Sequence, residues 1–385
     1  MIRPDVGVVI GQLRDQARAA TGLDDFGDET DYLDGLTALV SAALDVGGPE
    51  GFLRTPVGVY ASASLVGRLV TERGWRETPG WEQTSVTEPI FIVGIPRTAT
   101  TVLHQLLDAD PAHQGAPQWL LQRPQPRPPR SEWPAHPDFV ACRQANEALQ
   151  QAIPALSLIH DTDAHLVDEC WNLIFQTFRS PLFEAIANVP AYSEWLRGVD
   201  LVPGYRRHRD VLKLIGVGDD RRWVLKDPTH VYGAGAISTV YPDARILHLH
   251  RNPIAAIASI CSLMMYVGRV FGMETDRREL GRRHLALWAT GLRRCVVERA
   301  AFAPDQVLDI HFEHYVKDPM GTVGSIYDHF GWRWSDQARS RMTLVLDRER
   351  SRPGPPAEVL AAFGLTEDDV AQAFGDYLEA FGGTV

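Results

Sequence analysis

The chain has 385 residues, of which 45% are hydrophobic and 23% are charged, a balance typical of a soluble globular protein with a sizeable core. Its formal net charge of −11 argues against nonspecific coating of nucleic acid, because the field of the whole molecule repels phosphate. Any site for an anion must therefore be local.

Residues 1–86 predict a helical N-terminal extension. Leu33, Leu36 and Val40 recur at helical spacing, and glycine and proline at 47–49 interrupt the pattern. We expect residues 87–385 to form a separate α/β domain.

Short apolar runs in that second part predict four buried strands, at residues 88–94, 223–225, 244–250 and 306–312. Helical patterns separate the runs. Strands that alternate with helices indicate a parallel sheet covered on both faces, and ligands of such sheets bind at the carboxyl ends of the strands.

A long insertion lies between the first and the second predicted strand. It opens with the proline-rich segment 123–130 and continues through helical patterns to about residue 220. We interpret the opening as a stiff connector, with an SH3-type ligand as the alternative. The insertion is a natural place for an acceptor-binding lid.

The loop after the first strand has the sequence of an anion cradle. It runs from Gly94 to Thr101 and leads into a helix, so backbone N–H groups and the helix dipole point at one spot. Compared with the Walker pattern G-x-x-x-x-G-K-[ST], Ala99 replaces the second glycine and Thr100 replaces the lysine, which disfavours a nucleoside-triphosphatase. Arg97 supplies positive charge instead. The hydroxyl donors are Thr98, Thr100 and Thr101. The alternative is an ordinary turn with a threonine N-cap.

A second anion point follows the third predicted strand. Arg251 comes at the carboxyl end of that strand, Pro253 suits the first turn of a helix, and Ser259 lies about two turns into it. An arginine and a serine so placed can hold one phosphate from two sides.

These segments resemble the sulfotransferases that use 3′-phosphoadenosine 5′-phosphosulfate (PAPS), especially the bacterial branch distantly similar to tyrosylprotein sulfotransferases. In that family a P-[KR]-[ST]-G-T-T loop binds the 5′-phosphosulfate, and it corresponds here to residues 96–101. An R-[ND]-P-x(5)-S segment binds the 3′-phosphate and corresponds to residues 251–259. Residues 225–230 resemble the L-K-[SD]-P-x-H of the branch, whose lysine, here Lys226, is implied to face the transferring group.

The resemblance extends through softer matches over about residues 88–335. It implies a P-loop-like three-layer α/β fold with a central parallel sheet, PAPS as co-substrate, and no metal. The donor-binding residues that it implies are Arg97, Thr98, Ala99, Thr100, Thr101, Arg251, Ser259 and Arg352, the last from a C-terminal basic loop that matches only approximately.

Two departures from the family pattern bear on activity. Ala99 replaces the family glycine and weakens donor binding if that position requires a positive φ. Bacterial relatives often carry a Trp-Glu pair after the first helix, whereas Trp119 is followed by Leu120 and residues 111–131 hold no carboxylate.

Sulfuryl transfer requires in-line positioning, neutralisation of the bridging oxygen and a base for the acceptor proton. We assign charge stabilisation to Arg97 and Lys226. For the base we choose Glu169, because the family branch carries an acidic pair there and apolar surroundings make a carboxylate a stronger base. His160 and Asp168 follow, and His113 is a weaker candidate. Asp168 is equally well explained as an acid that complements a helix dipole.

The same segment, residues 160–169, also suggests a metal site, but the spacing of its two histidines is not that of a helical zinc motif. The arginines at 206–209 and 277–283 indicate solvated helix faces. The alternative is that they bind an acidic acceptor.

The four cysteines lie at unrelated spacings and predict reduced core thiols in the cytoplasm: Cys142, Cys170, Cys261 and Cys295. The N-terminus has no secretory h-region. The longest uncharged run, residues 252–268, falls short of the roughly 20 apolar residues that span a bilayer, so we expect no transmembrane segment.

The sequence therefore predicts a sulfotransferase that moves the sulfuryl group of PAPS to a hydroxyl of a small or lipidic metabolite, with no nucleic-acid partner. Aromatic residues of the insertion favour an apolar acceptor. One alternative is a protein of this fold whose activity on an anionic metabolite does not involve sulfuryl transfer. Another, disfavoured by the loop, is a nucleotide kinase, which magnesium dependence would identify. The sequence leaves a homodimer open.

Overall fold

A computed structural model of the chain describes residues 3–152, 163–270, 275–350 and 358–382. These residues form eighteen α-helices, nine short 3-10 helices and one five-stranded sheet. The strands are β1 (Ile90–Val93), β2 (His113–Gln114), β3 (Arg222–Lys226), β4 (Arg245–His250) and β5 (Val307–His311).

The helices lie before, between and after the strands. Those before β3 are α1 (Pro4–Thr21), α2 (Leu33–Gly47), α3 (Pro56–Glu77), α4 (Thr100–Asp108), α5 (Gln118–Gln122), α6 (Pro137–Ala152), α7 (Trp171–Ile174), α8 (Leu182–Ile186), α9 (Pro190–Arg197) and α10 (Val202–Ile215). Those after β3 are α11 (Ala234–Val240), α12 (Pro253–Val270), α13 (Arg277–Glu298), α14 (Phe312–Lys317), α15 (Pro319–Phe330), α16 (Asp336–Arg350), α17 (Glu367–Ala373) and α18 (Gly375–Phe381).

The sheet is parallel throughout, in the order β2-β3-β1-β4-β5. β1 is the central strand, with Ile92 opposite Lys226 of β3 on one side and Leu247 of β4 on the other. The four strands expected from the sequence are confirmed. β2 was missed because it has only two residues, too few for a hydrophobic run to show. The order brings the carboxyl ends of β1, β3 and β4 together at one edge.

Alternation along the strands divides the sheet residues between two faces. Ile90 and Ile92 face one side, where apolar residues of α4, α15 and α16 complete a buried core. Phe91 faces the other side, where its ring meets the rings of His230 and Tyr241 at 5.1 Å. The predicted three-layer α/β fold is therefore confirmed.

The chain divides into two compact units. The first comprises Met1–Val86, Ala116–Cys142 and Asp168–Asp220, and the second comprises Thr87–Gly115, Arg143–Val167 and Arg221–Val385. The predicted N-terminal extension and most of the predicted insertion thus share one unit. Their boundaries as domains stay a prediction.

The arginine run at 206–209 in the first unit is not the solvated face that its charge suggested. Arg207 is buried and donates to Gln176 Oε1 and to Glu72 Oε1, both at 2.9 Å. His208 beside it is fully buried, and only Arg206 is exposed as expected. The reason is that α10 packs this face inward, where Glu72 of α3 neutralises the guanidinium.

Each of the four cysteines is buried as a thiol and none forms a disulfide, as the spacing predicted. Among the helices of the described residues, none combines the length and the apolar character that crossing a membrane requires.

Candidate functional site

The loop between β1 and α4 is held in a strained, open form. Arg97 has a φ of 71° and Ala99 a φ of 62°, both in the left-handed region that non-glycine residues avoid. At Gly94 a Cβ would lie 2.9 Å from Leu249 O and 3.1 Å from Thr98 Oγ1, so only glycine fits. Ala99 therefore has the positive φ under which the sequence predicts weaker donor binding.

Helix α4 begins directly after this loop, and its first turn is uncapped. Its N-cap residue is Ala99, which has no side-chain oxygen, so the alternative of an ordinary turn with a threonine N-cap is wrong. The first intrahelical bond runs from Leu103 N to Ala99 O. Helix geometry therefore directs the N–H groups of Thr100, Thr101 and Val102 out of the helix end, where they can bind an anion.

The hydroxyls of Thr98 and Thr101 have different hydrogen-bond partners. Thr98 is fully buried and donates its hydroxyl to Ile95 O at 2.8 Å, which shapes the loop and removes this hydroxyl from the predicted donors. Thr101 Oγ1 accepts from Lys226 Nζ at 3.1 Å.

Lys226 occupies the last position of β3, and its side chain is 2% exposed. The next residue, Asp227, accepts from the N–H and the hydroxyl of Thr229, both at 2.7 Å, and so fixes the turn after the strand. Because β3 lies beside β1, its terminal lysine reaches the start of α4. The structure thus places Lys226 against the first turn of α4.

Arg97 and Arg251 form an interlocked pair at the same edge. Arg251 follows β4 and donates from its guanidinium to Arg97 O, while its guanidinium carbon lies 4.1 Å from the ring centroid of Phe312. Arg97 Nε donates to Ser259 Oγ at 3.1 Å, and Ser259 lies on α12, which begins at Pro253 as expected. The structure thus brings the two predicted anion points together.

The charges of this pair are not balanced by a salt bridge. Within the described parts of the chain, no carboxylate oxygen lies within the 4.0 Å salt-bridge distance of either guanidinium. Burial lowers the pKa of Arg97; burial and then the charge of Arg97 lower the pKa of Arg251, which the charge of Glu313 raises in part. Arg251 Nε is buried without a hydrogen-bond partner among those residues. Such a pair suits a phosphate or sulfate group that supplies the missing negative charge.

The acidic pair at 168–169 lies in the first compact unit. The helix that follows this pair, α7, begins at Trp171, and Asp168 N donates to Ala116 O at 3.0 Å. Asp168 Oδ1 accepts from Glu169 N at 2.7 Å. Burial, and then the charges of these two carboxylates, raise the pKa of the nearby Tyr60.

Not every predicted site residue can be placed. His160 and Arg352 lie outside the described residues, as do residues 160–162 at the start of the segment behind the metal alternative. His113 is in the core of the second unit, where its Nδ1 lies 3.0 Å from Leu107 O and burial lowers its pKa. Arg348, near the C-terminal basic loop, donates to Gln105 Oε1 of α4 at 2.7 Å.

Comparisons with known proteins identify the family and the fold. The model of a family described as the sulfotransferase family matches residues 89–336. The crystal structure of sulfotransferase STF1 from Mycobacterium tuberculosis is 35% identical, covers 95% of this chain and 98% of its own, and superposes with a TM-score of 0.85. That of sulfotransferase STF9 from Mycobacterium avium, 23% identical over 96% of both chains, has a TM-score of 0.82 and shows the shared fold.

A curated relative is the omega-hydroxy-beta-dihydromenaquinone-9 sulfotransferase Stf3 of Mycobacterium bovis. It is 27% identical over 260 residues, which are 63% of this chain. The match spans 62% of the length of that relative.

Proposed function

This chain belongs to the sulfotransferase family, and we propose that it transfers the sulfuryl group of PAPS to a hydroxyl of a small apolar or lipidic metabolite. One observation carries the proposal. Arg97 and Arg251 come from neighbouring strand ends, interlock without a carboxylate within 4.0 Å among the described residues, and lie beside the uncapped first turn of α4.

PAPS has anionic groups at its 5′ and 3′ positions, and the edge of the sheet offers two groups of donors. The N–H groups at the start of α4, with Lys226 beside them, suit the 5′-phosphosulfate. Arg251 and Ser259 suit the 3′-phosphate, as the family motif implies. The anionic groups of the donor then compensate the positive charge of the two guanidiniums.

The reaction exchanges one sulfur–oxygen bond for another. The acceptor oxygen attacks sulfur in line with the bridging oxygen, the bond from that oxygen to sulfur breaks, and 3′-phosphoadenosine 5′-phosphate (PAP) leaves. Negative charge develops on the bridging oxygen, and Lys226 and Arg97 stabilise it. The proton of the acceptor hydroxyl passes to a base, for which we keep Glu169 as the first choice and Asp168 as the second.

The acceptor is proposed to be apolar. The first unit holds an aromatic group in which the Tyr60 ring meets Trp171 at 5.3 Å and Phe175 at 6.0 Å, edge to face. Tyr60 and Trp171 are only partly buried, and the carboxylates of Asp168 and Glu169 lie close enough to Tyr60 to affect its titration. A lipidic acceptor also agrees with the name of the relative from Mycobacterium bovis.

Calorimetric titration of the full chain with PAP tests the donor. We expect binding without magnesium and no gain when magnesium is added, because the arginines and Lys226 supply the charge that a metal would supply. Adenosine, which lacks both phosphates, is the matched control ligand and should bind far more weakly. No binding of PAP would contradict the proposal, and binding only with magnesium would favour a kinase.

Turnover of sulfur-labelled PAPS with a panel of alcohols, from small polar ones to isoprenoid ones, tests the transfer. We expect labelled product to increase with the apolar surface of the alcohol. Hydrolysis of PAPS without transfer to any alcohol would favour a protein with altered activity, a candidate that Ala99 in the left-handed region supports.

Glu169→Gln tests the base. Loss of a general base lowers kcat by about a hundredfold or more and leaves PAP binding unchanged. Glu194→Gln, at an exposed ion pair with Arg197 on α9, is the matched control. Turnover of Glu169→Gln within a few-fold of wild type would contradict the assignment.

A further inference from the structure

A buried polar network lies on one face of the sheet, next to the donor site. His248 and His250 alternate along β4 and so face the same side, and the register places Asp309 of β5 opposite His248. Both histidines are almost completely buried. Asp309 accepts from Arg299 at 2.6 and 2.8 Å and lies 2.8 Å from His250 Nε2.

The hydrogen-bond partners fix the tautomer of His250. Although burial opposes it, hydrogen bonds from His250 and Arg299 lower the pKa of Asp309, so its carboxylate can only accept. His250 Nε2 therefore carries the proton that it donates to Asp309, and its Nδ1 keeps a lone pair. Tyr377 of α18 donates its hydroxyl to that Nδ1 at 2.9 Å.

The hydroxyl of Tyr377 also lies next to the backbone of Arg251, the residue directly after β4. Burial raises the pKa of Tyr377, and the backbone N–H of Arg251 lowers it in part. The side chain of Arg251 is held separately, by Arg97 O and the ring of Phe312. Tyr377 thus fixes the ring of His250, the residue directly before Arg251, at the end of the strand from which the guanidinium extends.

We propose that the C-terminal helix α18 is part of the donor site, in which Tyr377 is a positioning residue that orients Arg251 toward the 3′-phosphate of the donor. This inference rests on the proposed function. Tyr377 lies well beyond residues 89–336, which match the family. A short helix outside the matched region therefore determines the geometry of a residue inside it.

Two features hold α18 in place for this role. The ring of Phe381 stacks on His250 with centroids 4.2 Å apart, and Asp376 accepts from Arg293 of α13 at 2.9 Å. A metal on His248, His250 and Asp309 is the competing use of the network. The guanidinium of Arg299 already occupies that place, since its NH1 lies 2.9 Å from His248 Nδ1 and 2.6 Å from Asp309 Oδ1.

Tyr377→Phe tests the inference because it removes only the hydroxyl. The readout is the affinity for PAP compared with that for 5′-AMP, which lacks the 3′-phosphate. We expect PAP to bind roughly three- to tenfold more weakly, the effect of one lost hydrogen bond, and 5′-AMP to bind as it does to wild type. In an Arg251→Ala background Tyr377→Phe should have no further effect on PAP, because the residue on which it acts is gone.

His250→Gln is a second variant, since it removes the ring to which Tyr377 donates, and the same selective loss is expected. Tyr327→Phe is the matched control, because it deletes a buried hydroxyl that donates to Asp110 away from Arg251. That variant should keep the ratio of PAP to 5′-AMP affinity of wild type.

Two results would overturn the inference while the proposed function stands. One is unchanged PAP affinity in Tyr377→Phe when Arg251→Ala has lost it. The other is an equal loss for PAP and 5′-AMP, which a merely structural role of Tyr377 would give. Absence of PAP binding by wild type would instead overturn the proposed function, and this inference with it.

Discussion

The two ends of the same sheet each carry a pair of arginines, but among the described residues only one pair forms salt bridges. At the amino end, Arg222 begins β3 and Arg245 begins β4, and both donate to Glu88 ahead of β1, Arg222 at 2.8 Å. At the carboxyl end, Arg97 and Arg251 interlock with each other. Within the residues that the structure describes, that second pair has no carboxylate within 4.0 Å.

The difference distinguishes arginines that stabilise the fold from arginines that bind a ligand. At the amino end the hydrogen bonds from Arg245, and then from Arg222, lower the pKa of Glu88, so the charges stabilise one another. At the carboxyl end burial lowers the pKa of both arginines, and the charge of Arg97 lowers that of Arg251 further, with only partial compensation from Glu313. Such an arrangement persists when an anionic ligand supplies the compensation.

Exchanging one arginine at each end for alanine should give opposite results, and this is the largest effect we expect. Arg251→Ala removes charge-assisted bonds to a phosphate and should weaken PAP by about a hundredfold or more. Arg245→Ala should leave the affinity for PAP within a few-fold and lower the melting temperature, because Glu88 loses a partner. Calorimetric titration and thermal melts of both variants give the comparison. Equal losses of PAP binding would show that the two ends do not differ.

A carboxylate placed at the carboxyl end should make it resemble the amino end. Ser259 accepts from Arg97 Nε, so Ser259→Asp places an acid against that guanidinium. We expect a higher melting temperature and an affinity for PAP lower by about tenfold or more, because the acid repels phosphate and occupies its donor. Ser259→Ala, which removes the hydroxyl without adding charge, is the control. PAP binding by Ser259→Asp equal to that of Ser259→Ala would contradict the role of unneutralised charge.

The sequence predicted the sheet well because buried parallel strands have a simple pattern. Apolar runs such as residues 90–93 and 246–249, the second interrupted only by His248, mark strands, and the glycine and the prolines that follow mark the turns into helices. It failed where structure depends on partners far away in the chain. Arg207 carries the charge that is typical of a surface residue. It is buried because α10 packs it inward, where it donates to Glu72.

The site was predictable where its groups lie at strand ends and not where a distant helix contributes. Arg97 and Arg251 each follow a strand and Lys226 ends one, so their common edge could be inferred from the parallel sheet. Tyr377 could not be found, because a lone tyrosine in a C-terminal helix carries no signal until its hydroxyl is seen at His250. The sequence could not show whether Ala99 has a positive φ, because that depends on the conformation of the loop.

Glu88→Gln should weaken the amino end alone. At neutral pH we expect a loss of about 1 kcal/mol of folding stability, the upper range for a solvent-accessible ion pair, with PAP binding unchanged. The folded-state pKa of Glu88 lies below its ordinary value of 4.5, so its contribution is present above pH 4.5 and is lost as the pH falls below it. Denaturant unfolding at several pH values should therefore show the variant and wild type converging in acid. A difference that persists or increases there would contradict the assignment.

Ala99→Gly should give the smallest effect on stability. It tests backbone strain at the carboxyl end of the sheet, for comparison with Glu88 at the amino end. A left-handed alanine costs about 1–2 kcal/mol, and the greater freedom of glycine in the unfolded chain offsets about half of the gain, so we expect stabilisation of about 0.5 kcal/mol. Ala109→Gly, at the other end of α4 with an ordinary φ of −69°, is the control and should destabilise. Glu88 also has a positive φ, of 42°, yet Glu88→Gly should destabilise because it removes the carboxylate that both amino-end arginines share. Thermal melts of the three variants check this order, and a lower melting temperature for Ala99→Gly would show that its methyl group packs favourably enough to outweigh the strain.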